Sequence, residues 1–357
     1  MTKKRIFLYA LVALLLVALF YLQFRTWRRF DWAVFLAQTR QVQLIHILAG
    51  ISYTYLAYVM RALRWRIFLR PVKKTTTLRL LSPTIVGFTG LSLLGRPGEM
   101  IRPYLIARKE ELSFSSQLAV WAVERIFDIG AFATLLVIAI FFTLGPRQLG
   151  AYYGKFREGG LILIALVGIL AIAAGIIRMK GELVALWAER HFTRHASGLG
   201  PKIAARVREF RGGLNTIHGV SEFVQLVGVS LAMWFVIALA YQQVTSAYGV
   251  PLLKIPISQI FLLMGSSMVG SLVQLPGVGG GSQLATISTL QHVFGAPPEL
   301  AASCGILLWM VTFMSVIPLG LALAHRERLS LRTLSKESHL QEKLAESSIP
   351  HSALSPK

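Results

Sequence analysis

Gly90-Leu-Ser-Leu-Leu-Gly95-Arg96-Pro97-Gly98-Glu99-Met-Ile-Arg102-Pro103 breaks one long hydrophobic stretch of the chain. Gly270-Ser-Leu-Val-Gln-Leu275-Pro276-Gly277-Val278-Gly279-Gly280-Gly281-Ser282-Gln283 breaks a second one in a corresponding place. In a bilayer, backbone that leaves the helix must be buried in protein or line a wet cavity, because lipid satisfies neither N–H nor C=O groups. Paired, interrupted hydrophobic segments point to a transport site built near the midplane from half-helices. The fold these breaks imply is all-α, a polytopic integral membrane protein.

The residues around the breaks agree. Of 357 residues, 54% are hydrophobic and 15% charged, whereas a soluble domain carries roughly a quarter charged residues. Apolar runs long enough to span lie at Ile6–Phe24, Gln43–Met60, Gln117–Thr143, Gly160–Arg178, Phe223–Ala247 and Leu300–Ala324, each close to the ~20 residues a bilayer requires. Six full spans are therefore expected. The broken segments, Leu80–Leu112 and Ile257–Phe294, are expected to re-enter or to form paired half-helices. Near the N-terminus, Lys3, Lys4 and Arg5 precede an apolar run that continues to Phe24 without a small-residue cleavage site, which predicts an uncleaved first span.

The net charge of +21 is a footprint that phosphates would fit. Its distribution excludes nucleic acid: the basic residues flank apolar runs, where the positive-inside rule and anionic inner-leaflet lipids account for them. Basic stretches follow the second span (Arg61, Arg64, Arg66, Arg70, Lys73, Lys74, Arg79), the fourth (Lys180 to Arg211) and the last (Arg326 to Lys336). With the N-terminus, all are expected on the cytoplasmic side. Arg25, Arg28, Arg29 and Arg40 fall on the other side, against the rule. All the basic stretches can share one face only if each broken segment enters and leaves on one side or crosses twice. The first then dips from the cytoplasm and the second from outside, as an inverted repeat would arrange them.

Residues 1–329 are expected to form one transmembrane domain. It contains a cytoplasmic juxtamembrane insertion, 179–222, whose apolar residues alternate with basic ones and suit the anionic inner leaflet. Residues 330–357, rich in Ser, Lys and Glu, are expected to be a mobile cytoplasmic tail. The expected location is an inner (plasma) membrane of bacterial type, with both termini cytoplasmic. Cys304 is the single cysteine and the eight histidines are scattered, so neither a disulfide framework nor a metal site is expected, and no cofactor.

Three groups of residues carry candidate chemistry. Arg96, Glu99 and Arg102 sit at the first break, where arginine's planar fork suits a phosphodiester and a helix starting there would add its positive end. The following span carries Glu124, Arg125 and Asp128, with the two carboxylates four apart on one helix face. Ionisable groups inside a span are costly and face the bundle interior, so these either gate an anion site or brace the broken segment. At the second break, Gly279 and Gly280 let backbone approach a ligand, and Gln283, with Ser282, Thr286 and Ser288, supplies polar groups. That stretch lacks the Lys-Ser/Thr of a nucleotide loop.

Gly95-Arg96-Pro97-Gly98-Glu99-Met-Ile-Arg102 and Val123-Glu124-Arg125-Ile-Phe-Asp128 resemble the Gly-Glu-x-x-Arg and Glu-Arg-x-x-Asp elements of the lysylphosphatidylglycerol synthase transmembrane region, the flippase-like family. Leu275-Pro276-Gly277-Val278-Gly279-Gly280 stands where that family has a Pro- and Gly-rich break. Here Val278, Ser282 and Ala285 replace its second proline, last glycine and glutamate, leaving Gln283 as the nearest polar substitute. The resemblance covers roughly residues 5–325. It implies a membrane protein that moves phospholipids or modified lipids between leaflets. The aminoacyl-transfer domain of the full synthases has no counterpart here, so no synthase activity is implied.

The leading reading is a lipid translocator in which Arg96 and Arg102 hold a headgroup phosphate and Glu99, Glu124 and Asp128 balance charge. A lipid-modifying membrane enzyme with one of those carboxylates as general base, and a non-catalytic scaffold, are the other readings of the same residues.

Overall fold

The computed structural model describes residues 31–143, 153–193, 204, 208, 219–271 and 280–326. Among them every regular element is a helix. In chain order these are α1 (Trp32–Arg40), α2 (Leu44–Leu69), α3 (Thr77–Leu94), a 3-10 turn (Arg96–Met100), α4 (Ile101–Glu110) and α5 (Phe114–Ile138). Then follow α6 (Tyr153–Thr193), α7 (Val220–Ser246), α8 (Ile257–Gly270), α9 (Gly280–His292), α10 (Pro298–Trp309) and α11 (Val316–Arg326). The Ile6–Phe24 span, most of the second break with Gly279, and the 330–357 tail lie outside the described residues.

Four described helices are long and apolar enough to cross a membrane: Thr77–Leu94, Phe114–Phe142, Val220–Ser246 and Pro298–Arg326. The α1–α2 pair, bent by 77°, makes a fifth. The described helices thus establish a polytopic, all-helical membrane protein and account for three of the six spans read from the sequence, or four with the α1–α2 pair, while Thr77–Leu94 belongs to the first broken segment. Leu161, Ile162, Ile169, Ile172 and Ile176 of α6 are exposed, an apolar surface of the kind that lipid covers. The helical backbone of α6 breaks at Lys180 (φ −125°, ψ 24°), close to the start of the 179–222 insertion, and a helix resumes beyond it to Thr193; Arg208 reaches back to Glu182 at 3.1 Å.

One expectation requires correction. The second span does not end at Met60: α2 runs to Leu69 and carries Arg61, Arg64 and Arg66 inside the helix. No glycine or proline interrupts this part of α2. Ala62, Trp65, Phe68 and Leu69 recur at helical spacing and are all buried, so packing carries the helix through its arginines. The basic loop therefore begins only at Arg70.

Each broken segment folds back as a helical hairpin, and the two hairpins have their bases at opposite ends of α2. The base of α3–α4 lies at the Leu69 end: Lys73 Nζ donates to Glu110 O at 2.5 Å and Thr75 Oγ1 donates to Glu110 Oε1 at 3.0 Å. The base of α8–α9 lies at the Leu44 end. There Gln43 N donates to Ala247 O (2.8 Å), Gln242 Nε2 donates to Ile255 O (3.3 Å), and Asp31 N donates to Glu299 Oε1 (3.3 Å) at the start of α10. Thr76 and Ser113 cap α3 and α5 with their hydroxyls, a device worth about 1 kcal/mol each.

Glycine makes both hairpins tight. A Cβ on Gly98 would collide with the carbonyl oxygen of Gly90, and one on Gly270 with that of Gly281. Gly95, at φ 70° and ψ −148°, holds a conformation essentially confined to glycine and turns the chain from α3 into the 3-10 turn.

Between α10 and α11, Met310–Met314 forms a wide π turn. Pro318 has no N–H to give the carbonyl of Met314, four residues earlier, and its ring crowds that carbonyl, so the turn before it opens. The carbonyls around the opening find partners elsewhere: Ser92 Oγ donates to Phe313 O (2.9 Å) and the Tyr55 hydroxyl donates to Ser315 O (2.8 Å).

Candidate functional site

Glu124 and Asp128 share one face of α5, as their spacing implies, and that face meets α2 rather than solvent. Both side chains of the Arg64–Glu124 pair are fully buried. Arg64 Nη2 donates to Glu124 Oε1 at 2.6 Å, and its Nη1 donates to Asp128 Oδ1 at 2.7 Å and to Ser230 Oγ of α7 at 3.0 Å. From the other side Arg102 of α4 grips Glu124 with both Nη atoms, one at 3.1 Å from Oε1 and the other on Oε2. Bidentate, charge-assisted pairs are the strongest hydrogen bonds available to side chains. The Arg102 guanidinium also lies 4.4 Å from the centroid of the Trp65 ring and 5.2 Å from that of Phe88. Trp65 is held in turn by Gln117, whose Oε1 accepts from Nε1 at 3.0 Å.

Arg125 reaches Asp128 Oδ2 at 3.0 Å and Glu124 Oε2 at 3.4 Å. Arg61 is the outlier. Its nearest carboxylate oxygen, Asp128 Oδ2, is 3.8 Å away, and its guanidinium instead lies 4.8 Å from the Phe88 ring centroid. Four arginines therefore surround two carboxylates. Glu99 borders a separate gap of about 20 Å³ with Arg102 and Arg125, room for roughly one water molecule. Even counting Glu99, the cluster keeps an excess of positive charge.

Arg61 also faces a cavity of about 200 Å³. Thr54, Ala57 and Tyr58 bring the middle of α2 to it, Phe88 and Ser92 bring the first hairpin, and Ser282, Gln283 and Thr286 bring the second. Trp234 and Tyr241 of α7 close one side and Thr312 and Phe313 of the π turn another. The indole N–H of Trp234 has no hydrogen-bond partner among the described residues.

Of the residues singled out from sequence, Glu99, Arg102, Glu124, Arg125 and Asp128 come together in the ionic cluster, and Gln283 lines the cavity beside it. Gly280 opens α9 at φ 53°. Arg96 starts the 3-10 turn, but its side chain, like Gly279, lies outside the described part. Arg61 and Arg64 were missed: they follow an apolar run and read as a positive-inside loop. Their spacing of three, with apolar Ala62, Trp65 and Phe68 alternating around them, was the signal of a continuing helix. Ser230 had no signal of its own. Among the described residues no group of His, Cys, Asp and Glu is placed to hold a metal.

A family model described as "Lysylphosphatidylglycerol synthase TM region" matches residues 6–320. Two relatives, both called UPF0104 membrane protein and both from Methanothermobacter thermautotrophicus, are similar along most of their length. One is 20% identical over 292 residues, covering 79% of this chain and 86% of the relative. The other is 27% identical over 329 residues, covering 89% and 92%. No solved structure matches.

Proposed function

The chain belongs to the lysylphosphatidylglycerol synthase TM-region family, and we propose that within it this multi-pass membrane protein translocates a phospholipid or modified lipid between leaflets. The observation that carries the reading is the position of the cavity. It lies halfway along α2, where the inner ends of two hairpins with opposed bases meet. A site reached by one hairpin from each end is open to either side when one hairpin tilts, the requirement of alternating access.

In this reading the ionic cluster of Glu99, Arg102, Glu124, Arg125 and Asp128, completed by Arg61 and Arg64, fixes the first hairpin and supplies a positive field. Arg96, Gly279, Gly280 and Gln283 complete the path a headgroup takes past the two breaks. The Leu69 end, with Arg70, Lys73, Lys74 and Arg79, faces the cytoplasm and its anionic lipids. The paired hairpins, each crossed glycine on glycine, are the relic of an inverted repeat. The membrane is the inner (plasma) membrane, with both termini cytoplasmic.

The test is transport. Purified protein reconstituted in liposomes is expected to move fluorescent phospholipid between leaflets faster than empty liposomes do. Rates equal to the empty control across anionic, zwitterionic and aminoacylated headgroups would overturn the proposal.

A further inference from the structure

We propose that the cavity selects lipids whose headgroup carries net negative charge, that Arg61 is the group that takes the headgroup phosphate, and that cationic, aminoacylated headgroups are disfavoured. The inference rests on the reading of the cavity as a lipid site and adds its chemical selectivity.

Arg61 is the one charged residue among the described residues lining the cavity, and no carboxylate lines it. A lysyl or alanyl ammonium would enter a space with nothing ionic to receive it and a guanidinium to repel it. Phosphate oxygens meet the opposite situation. The other three arginines of the cluster each have a carboxylate oxygen within 3.1 Å, so each is already in a close ion pair, with only Nε of Arg64 and of Arg125 left without a partner. Arg61, 3.8 Å from Asp128, holds donors in reserve for a planar, bidentate grip on an anion. The side chain of Arg61 is only 11% exposed, and Phe88 limits its movement. A buried cation left with so weak a partner is costly. An anion arriving in the cavity relieves that cost and neutralises part of the excess charge.

The remainder of the lining suits the rest of such a lipid. Gln283, Tyr58 and Tyr241 offer neutral hydrogen-bonding groups to glycerol hydroxyls, while Met264, Met268 and Leu308 offer an apolar wall to the start of the acyl chains.

The experiment measures binding rather than transport. The full chain, delipidated in detergent, is titrated with phosphatidylglycerol, phosphatidylethanolamine, lysyl-phosphatidylglycerol, glycerol 3-phosphate and inorganic phosphate. Retention is followed by native mass spectrometry and thermal stabilisation. Phosphatidylglycerol is expected to be held at least about tenfold more tightly than lysyl-phosphatidylglycerol. Arg61→Gln is expected to abolish that preference with the Tm of the lipid-free protein little changed, and Arg61→Lys to keep part of it. Equal retention of the two lipids, or an Arg61→Gln variant that discriminates like the parent, overturns the proposal. So does glycerol 3-phosphate or inorganic phosphate binding as tightly as the lipid, which would make the occupant a soluble anion. Selective binding without transport in liposomes would remove the translocator reading while leaving this one standing.

Discussion

The two hairpins share a backbone design and differ in everything attached to it. Each folds back on a glycine-to-glycine crossing, and each brings its inner end to the middle of α2. The α3–α4 hairpin is tied to its surroundings by ions: Arg102 holds Glu124, Glu124 holds Arg64, and Arg64 reaches Ser230 on α7. The α8–α9 hairpin contributes no charged side chain to the cavity, and Thr286 and Thr289 of α9 hydrogen-bond back to their own helix. One hairpin is anchored by contacts that are expensive to break in a low-dielectric interior. Among the described residues the other makes no ion pair and rests on close packing and neutral hydrogen bonds such as that from Gln242 to Ile255. In the translocator we propose, the difference gives them separate tasks, a fixed wall that creates the field and a wall free to tilt.

The largest effect should come from removing the anchor. Glu124→Ala strands Arg64 and Arg102 without their shared carboxylate, a loss of about 3–5 kcal/mol. Size-exclusion profiles and thermal unfolding in detergent should show little folded protein. Gln283→Ala on the second hairpin should change stability by no more than about 0.5 kcal/mol and affect transport alone. If the two variants unfold at the same temperature, the asymmetry between the hairpins is lost.

Next come the crossings, where the hairpins should behave alike. Gly98→Ala and Gly270→Ala each drive a methyl into a facing carbonyl, and overpacking of this kind costs about 1–3 kcal/mol. A large penalty at Gly98 with none at Gly270 would mean that the second crossing opens freely, sharpening the case for a tilting wall. Below the crossings comes Ser92→Ala, which removes the hydrogen bond from the first hairpin to the π turn and should lower stability by about 1 kcal/mol. That variant tests whether the fixed wall depends on α10–α11 or only on the ionic cluster.

Much of this arrangement was legible in the residues. Gly90 to Pro103 and Gly270 to Gln283 stand out because glycine and proline are conspicuous in apolar surroundings, and Glu124 and Asp128 because charge inside a span is rare. The role of α2 was hidden for the converse reason. Arg61 and Arg64 lie at the edge of an apolar run, where arginine ordinarily marks the membrane surface. Their carboxylate partners lie some sixty residues further on, and a local reading has no means of pairing groups that distant. Arg102 was legible as functional by type, yet its donors are committed to Glu124. Among the described arginines of the cluster, Arg61 is the one whose carboxylate lies furthest away, a distinction that depends on tertiary distances alone.

The π turn at Met310–Met314 has a consequence for comparing this chain with its relatives. A π turn holds one residue more than the α-helical turn it replaces, so α10 and α11 remain in phase around a supernumerary position. Tightening the turn without deletion would rotate α11 by about 100° and swing Gly320 away from Thr89, where a side chain has no room. A relative whose last helix runs without the wide turn must therefore be aligned with a single-residue gap between Trp309 and Ser315. Placing that gap elsewhere would set every residue of α11 against the wrong neighbour.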